Sequence, residues 1–332
     1  MRNAILRIFP AVLLALVAGG PARALERVVF GTDWLAEAEH GGYYEAIAAG
    51  IYARHGIAVD LRQGGPQISQ SQLLAAGRLD FAIVSNSFLP LNIRNQGIPL
   101  VAVAAFFQKD PTVLIAHRGA SYRDLAGLKG KPIMIGGDTR VGWWLFLKSK
   151  FGYTDAQIRP YTFNLAPFLT NPKAIQQGYL TSEPFLIEQA GGDPQVFLLA
   201  DAGYASYGSI IETSAKLVHD NPELVRRFVD ASIEGWYAYL YRDPAPANAL
   251  IKKDNPEETD ALLAYARATM KSHGIVDSGD AKTLGVGAMT DARWRAFFQV
   301  MAKQGLYPAT LDYRQAYTLR FVDHGVGLKA QR

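Results

Sequence analysis

The chain contains no cysteine. That excludes a thiol nucleophile, a thiolate metal site and any disulfide. A bacterial lipoprotein anchor, which is built on a cysteine, is therefore not expected. Histidine is scarce, six in 332 residues, and no two stand in an H-x-x-x-H or H-x-H spacing. A paired-histidine metal site is therefore missing, and no metal or cofactor is expected. There is no G-x-S-x-G elbow, and no Gly-Lys-Ser/Thr follows the glycines at 136 and 137. Those absences remove the usual marks of a serine hydrolase and of a nucleotide-binding P-loop. Beyond residue 24 no run reaches the ~18 apolar residues of a membrane helix.

Acid is missing from the first 24 residues, MRNAILRIFPAVLLALVAGGPARA. This stretch has Arg2 and Arg7, an apolar run from Ile8 to Val17, and small residues ending in Ala22-Arg23-Ala24. A positive start, an apolar centre and an A-x-A site mark an export leader, with cleavage expected after Ala24. The chain carries 34 basic and 30 acidic residues. Three arginines leave with the leader, so the remainder is close to neutral. No basic face points to nucleic acid. An exported protein without an anchor stays near its cell only behind an outer membrane, so a Gram-negative periplasm is expected.

The remainder alternates strand and helix. RVVFGT, IAVDLR, DFAIVS and LVAVAAF read as strands; residues 42–56 read as one helix ended by Gly56, and QISQSQLLAAG as a second helix. That order predicts a parallel sheet with helices on its faces. A second series begins after residue 111. TVLIAH, KPIMIGG, RPYTFN, YLTS and QVFLLA read as strands; VGWWLFLKSKFG, PKAIQQG and EPFLIEQAG read as helices. The segment from Gly203 to Val218 reads as a long extended return. In NPELVRRFVDAS, Asn221 fits an N-cap, Pro222 a first turn, and Leu224, Val225, Phe228 and Val229 an apolar face. Residues 109–204 are expected to form a lobe inserted into a first lobe of 25–108 plus 205–332, with crossings near Phe106–Pro111 and Asp201–Tyr207. Ligands favour such an interlobe cleft and the carboxyl ends of strands.

Several unusual loops should meet there. DWLAEAEHGGYYEA, Asp33 to Ala46, packs acids, a histidine, glycines and aromatics into fourteen residues. Trp34 fits a stacking wall better than a core. Tyr43 is expected to face the cleft and Tyr44 the core. Of Trp143 and Trp144, adjacent on a helix, one is expected in the core. Gly136, Gly137, Asp138 and Thr139 read either as an anion-binding helix start or as a simple capped turn. Glu183, before Pro184, reads either as a ligand acceptor or as a first-turn acid. Glu39, His40 and Asn86 complete the candidate set.

D-W followed by H-x-G-x-Y, then AAGIYARHGIAVDLRQGG, LLAAGRLDFAIVS and NPELVRRFVDAS, resembles the periplasmic solute-binding proteins of the nitrate/sulfonate/taurine and thiamine-pyrimidine-precursor group. His40, Gly42 and Tyr44 match the thiamine-pyrimidine branch; the asparagine often found three residues before that histidine is Glu37 here. The resemblance implies a type II periplasmic-binding fold, two α/β lobes with a hinge and an interlobe cleft. It implies a monomer that passes a small-molecule ligand to an ABC permease with its cytoplasmic ATPase. The expected ligand is a small planar nitrogen heterocycle such as a thiamine pyrimidine precursor. Trp34, Tyr43 and one tryptophan of the pair Trp143 and Trp144 would stack on it, Glu39 or Glu183 would accept from its amine, and His40 and Asn86 would fix its edge. A sulfonate, nitrate or aromatic carboxylate held at Gly137, Thr139 and Arg140 is the alternative, and a secreted enzyme a third reading.

Overall fold

The computed structural model describes residues 24–328 except Gln67. The expected leader lies outside the described residues, its last residue aside. The first sheet contains β1 (Glu26–Gly31), β2 (Ile57–Arg62), β3 (Phe81–Asn86), β4 (Leu100–Phe107) and β10 (Gly208–Ser214), in the order β2-β1-β3-β10-β4. The second contains β5 (Thr112–His117), β6 (Ile133–Ile135), β7 (Ile158–Pro160), β8 (Ile175–Tyr179) and β9 (Pro194–Leu198), in the order β7-β6-β8-β5-β9. These are the two lobes. The β-branched and aromatic run of β3 and the continuous apolar run of β4 suit strands covered on both faces, and Phe81–Val84 and Ala102–Phe107 are buried.

Neither sheet is wholly parallel. In the first, β1 runs parallel to β2 and β3, whereas β10 returns from the second lobe antiparallel to both β3 and β4. In the second, β5 is antiparallel to β8 and β9. Three other expectations are corrected. PKAIQQG is no helix: Ile175–Tyr179 is a strand between β5 and β6, and its two glutamines hid it by breaking the apolar alternation. Residues 41–56 hold two helices, Gly41–Ala48 and Ile51–Arg54, separated at Gly50, whose φ of 65° lies in the left-handed region. The extended return ends at Ser214, whose side chain caps a helix over Ala215–Asp220.

The long helix Pro222–Tyr241 starts as its sequence requires. The Asn221 side chain accepts from the Leu224 N–H, and Pro222 occupies the first turn. Its apolar face lies on the first sheet, with Phe228 stacked on Phe81 at 4.0 Å. Across this helix lies Gly41–Ala48, close enough that Gly42 faces the Trp236 ring and Gly235 faces the Gly42 carbonyl.

The chain passes between the sheets at residues 108–111 and 199–207. One side chain binds both crossings. Arg293 donates to the carbonyls of Gln108, Ala205 and Ser206, and its guanidinium lies 4.0 Å from the Tyr207 ring centroid.

Candidate functional site

The loop after β1 has most of its backbone polar groups tied down. Thr32 Oγ1 and Gly64 N donate to the Trp34 carbonyl, Ala36 N donates to Gln63 Oε1, and Asn255 Nδ2 donates to the Ala36 carbonyl. What the loop offers the cleft is side chains: Asp33, Trp34, Glu37, Glu39 and His40. They meet the second lobe directly. Trp34 touches Phe163 at a centroid distance of 4.6 Å, and the Thr181 hydroxyl donates to Glu39. A β-carbon on Gly142 would lie 3.5 Å from Asn86 Nδ2. The helix Asp260–Ser272 completes the closure from the C-terminal segment, with Tyr265 stacked on Phe185 at 4.9 Å and donating to the Leu180 carbonyl.

The electrostatics are unusual. Burial raises the Glu37 pKa well above the ordinary value, and Glu39, Asp33, Glu258 and Glu183 raise it further. Five acids from three parts of the chain thus converge. No hydrogen bond to the Glu37 carboxyl is present among the described residues. Burial also raises Glu39 against the opposing Thr181 hydrogen bond. It lifts Glu258 to about 8, with the Glu39 charge adding to the shift. Glu183 rises to about 7 by burial, despite the backbone N–H of Tyr179. Burial would raise Asp33 too, but the His40 hydrogen bond and charge outweigh it and hold Asp33 below its ordinary range. His40 Nε2 sits 3.0 Å from Asp33 Oδ1; its Nδ1 is buried without a partner among the described residues.

Of the expected site residues, Trp34, Glu39 and His40 come together, with Asn86 at the lobe boundary. Glu183 is present but committed: Oε2 accepts from Tyr179 N at 2.7 Å and Oε1 from the Tyr161 hydroxyl at 3.4 Å. Tyr43 is a correction. Its ring is fully buried, edge-on to Phe30, Phe106 and Trp236, because its helix is covered on the sheet side as well as by Pro222–Tyr241. Tyr44 is buried as expected. Trp143 and Trp144 are both buried, with Trp144 Nε1 donating to Asp155 inside the second lobe. The anion cradle is also weakened. Gly136 N donates to Gln177 Oε1 at 2.7 Å, and the Thr139 hydroxyl turns back to the Gly136 carbonyl. Gly137 faces open space, and Arg140 is exposed.

Sequence reasoning missed Glu258, Tyr161 and Phe163, placed the loop from Thr181 to Pro184 at the cleft without a role for Thr181, and gave Glu37 no ligand role. The mixed chemistry around Asp33 could have flagged Glu37; the others reach the cleft only through tertiary packing.

The acid cluster dictates a pH response. A carboxyl whose pKa rises on folding holds more protons folded than unfolded, so stability falls as pH rises between the two values. For Glu183 that window runs from 4.5 to about 7, and for Glu258 from 4.5 to about 8. Asp110, at about 6, and Glu212, at about 7, push the same way from elsewhere. Without ligand the protein should melt at a higher temperature at pH 5.5 than at pH 8. A melting series rising over that range would contradict the cluster.

Two lobes, two crossings and a site between them define the class of two-lobed solute-binding proteins with the periplasmic-binding-protein fold. The periplasmic aliphatic sulphonate binding protein SsuA from Escherichia coli shares this fold with a TM-score of 0.67, at 14% identity over 88% of this chain and 91% of that one. Within the class, the chain belongs to the NMT1/THI5 like family, whose model matches residues 37–247. It is 26% identical to the riboflavin-binding protein RibY of Chloroflexus aurantiacus, over 91% of this chain and 87% of that protein. It is 24% identical to the formylaminopyrimidine-binding protein of Halalkalibacterium halodurans, over 72% of this chain and 74% of that one. Among the described residues no helix is long and apolar enough to cross a membrane, and no histidine–carboxylate group is arranged to hold a metal ion.

Proposed function

We propose that this protein binds a planar nitrogen heterocycle in the periplasm and delivers it, as a monomer, to the permease of an ABC importer, without catalysing a reaction. The acid cluster carries this reading. A bare sulfonate or nitrate could sit among Glu37, Glu39, Glu183 and Glu258 only with all four held protonated, and beside Asp33, whose carboxyl stays below its ordinary range, whereas a ring bearing amino or N–H groups finds acceptor oxygens there. The unpartnered His40 Nδ1 supplies one edge contact, and Trp34 supplies an aromatic face. Relatives named for riboflavin and for formylaminopyrimidine, both flat nitrogen heterocycles, support the ligand class. Calorimetric titration with a formylaminopyrimidine, riboflavin, taurine and nitrate tests it. One of the two heterocycles should saturate the protein and be recovered unchanged. Binding of taurine or nitrate in their place would overturn the ligand class, and chemical conversion of the heterocycle would overturn the binding-only role.

A further inference from the structure

Phe163 stands out on three independent counts. Its φ of 59° places a bulky aromatic residue in the left-handed backbone region, where a β-carbon is unfavourable. Its ring is 37% exposed. It belongs to none of the apolar clusters that fill the lobes, and neither do its neighbours Trp34 and Tyr161. Core packing therefore does not account for the strained placement.

The ring does have a position in the cleft. It touches Trp34 of the first lobe at 4.6 Å and Tyr161 of its own lobe at 5.0 Å, both at an interplanar angle of 52°. The Tyr161 hydroxyl then reaches Glu183 and accepts from Gln176 Nε2. A line of aromatic faces thus leads from the mouth of the cleft to the acid cluster.

We propose that Phe163 is a specificity-determining ligand contact: with Trp34 it forms an aromatic clamp that selects flat rings over aliphatic solutes carrying the same polar groups. The clamp rests on the heterocycle reading above and extends it. Acids alone would accept any amine; the two rings, in contact at 4.6 Å and tilted by 52°, must part as the lobes turn about their hinge, and a flat π-system is what fills the slot so opened. The left-handed backbone at 163 is what turns the ring out of its own lobe and toward Trp34.

Phe163→Gly and Phe163→Tyr test this in the full chain. Glycine removes the ring and accepts the positive φ. It should lower affinity for the heterocycle that the wild type binds by tenfold or more, with the unliganded melting temperature unchanged or higher. Tyrosine should restore affinity to within a few-fold. Heterocycle binding by Phe163→Gly at wild-type strength would overturn the clamp, and so would a loss of affinity matched by a fall in unliganded melting temperature. A wild type that binds neither riboflavin nor a formylaminopyrimidine would overturn the underlying heterocycle reading, an outcome visible before any variant is made.

Discussion

Glu37→Gln is expected to weaken binding of an amine-bearing heterocycle by about ten- to a hundredfold. The glutamine keeps the shape and one acceptor oxygen but cannot become the carboxylate that a bound amine favours, and a hydrogen bond to a charged group contributes about 1.5–3 kcal/mol. Glu37 offers a free acceptor in the cluster: like that of Glu258, its carboxyl has no hydrogen bond among the described residues, whereas those of Glu39 and Glu183 are engaged. The same substitution should raise the unliganded melting temperature at pH 8, where it relieves repulsion among the acids. That gain should shrink toward pH 5, close to the ordinary carboxyl value, where folding no longer has to bring an ionised Glu37 into the cluster. Titration calorimetry at pH 7.5 and melts at both pH values measure the two effects. Unchanged affinity together with unchanged stability would remove Glu37 from the site.

Gly42→Ala is expected to destabilise the fold by about 1–3 kcal/mol, the usual range for forcing an extra carbon into a packed core. The added β-carbon would run into the Trp236 indole. That ring is fully buried among Tyr43, Phe106, Phe107 and Tyr239, so it has nowhere to withdraw. Gly235 meets the Gly42 carbonyl from the other side, so the two helices cannot separate locally either. The melting temperature should fall by several degrees, while ligand affinity measured well below the transition stays near wild type. A neutral melt would mean that the helices do not approach this closely. The H-x-G-x-Y stretch then divides by role: Gly42 and Tyr44, like Tyr43 between them, are packing residues, and of the three motif residues His40 lies in the candidate site.

Much of the fold was legible because β1 to β5 and the helix at 222 carry their own signals, alternation or apolar runs in the strands and Asn221-Pro222 at the helix start. β8 was not legible, since Gln176 and Gln177 become strand residues only through pairing with β5 and β6. The loop from Asp33 to His40 was legible as a site because its chemistry is concentrated in sequence. Glu258 was not: it precedes the helix capped by Thr259 and reads as a surface acid until the C-terminal segment folds over the cleft. The assignment of Tyr43 failed for a specific reason. Adjacency suggests one side chain toward the core and one toward the cleft, but the helix is enclosed on both faces, and Tyr43, Tyr44 and Glu45 are all buried.

The placement of Arg293 has a mechanical result. Two separate strands of chain between two bodies would allow bending, twisting and shear in combination. Tying both to one guanidinium makes them turn together, like two straps riveted to a single axle. The easiest relative motion expected of the bodies is then a rotation about that rivet. A solute arriving in the cleft needs to supply free energy along that one direction only, and a loop inserted into either strap would be felt by the other.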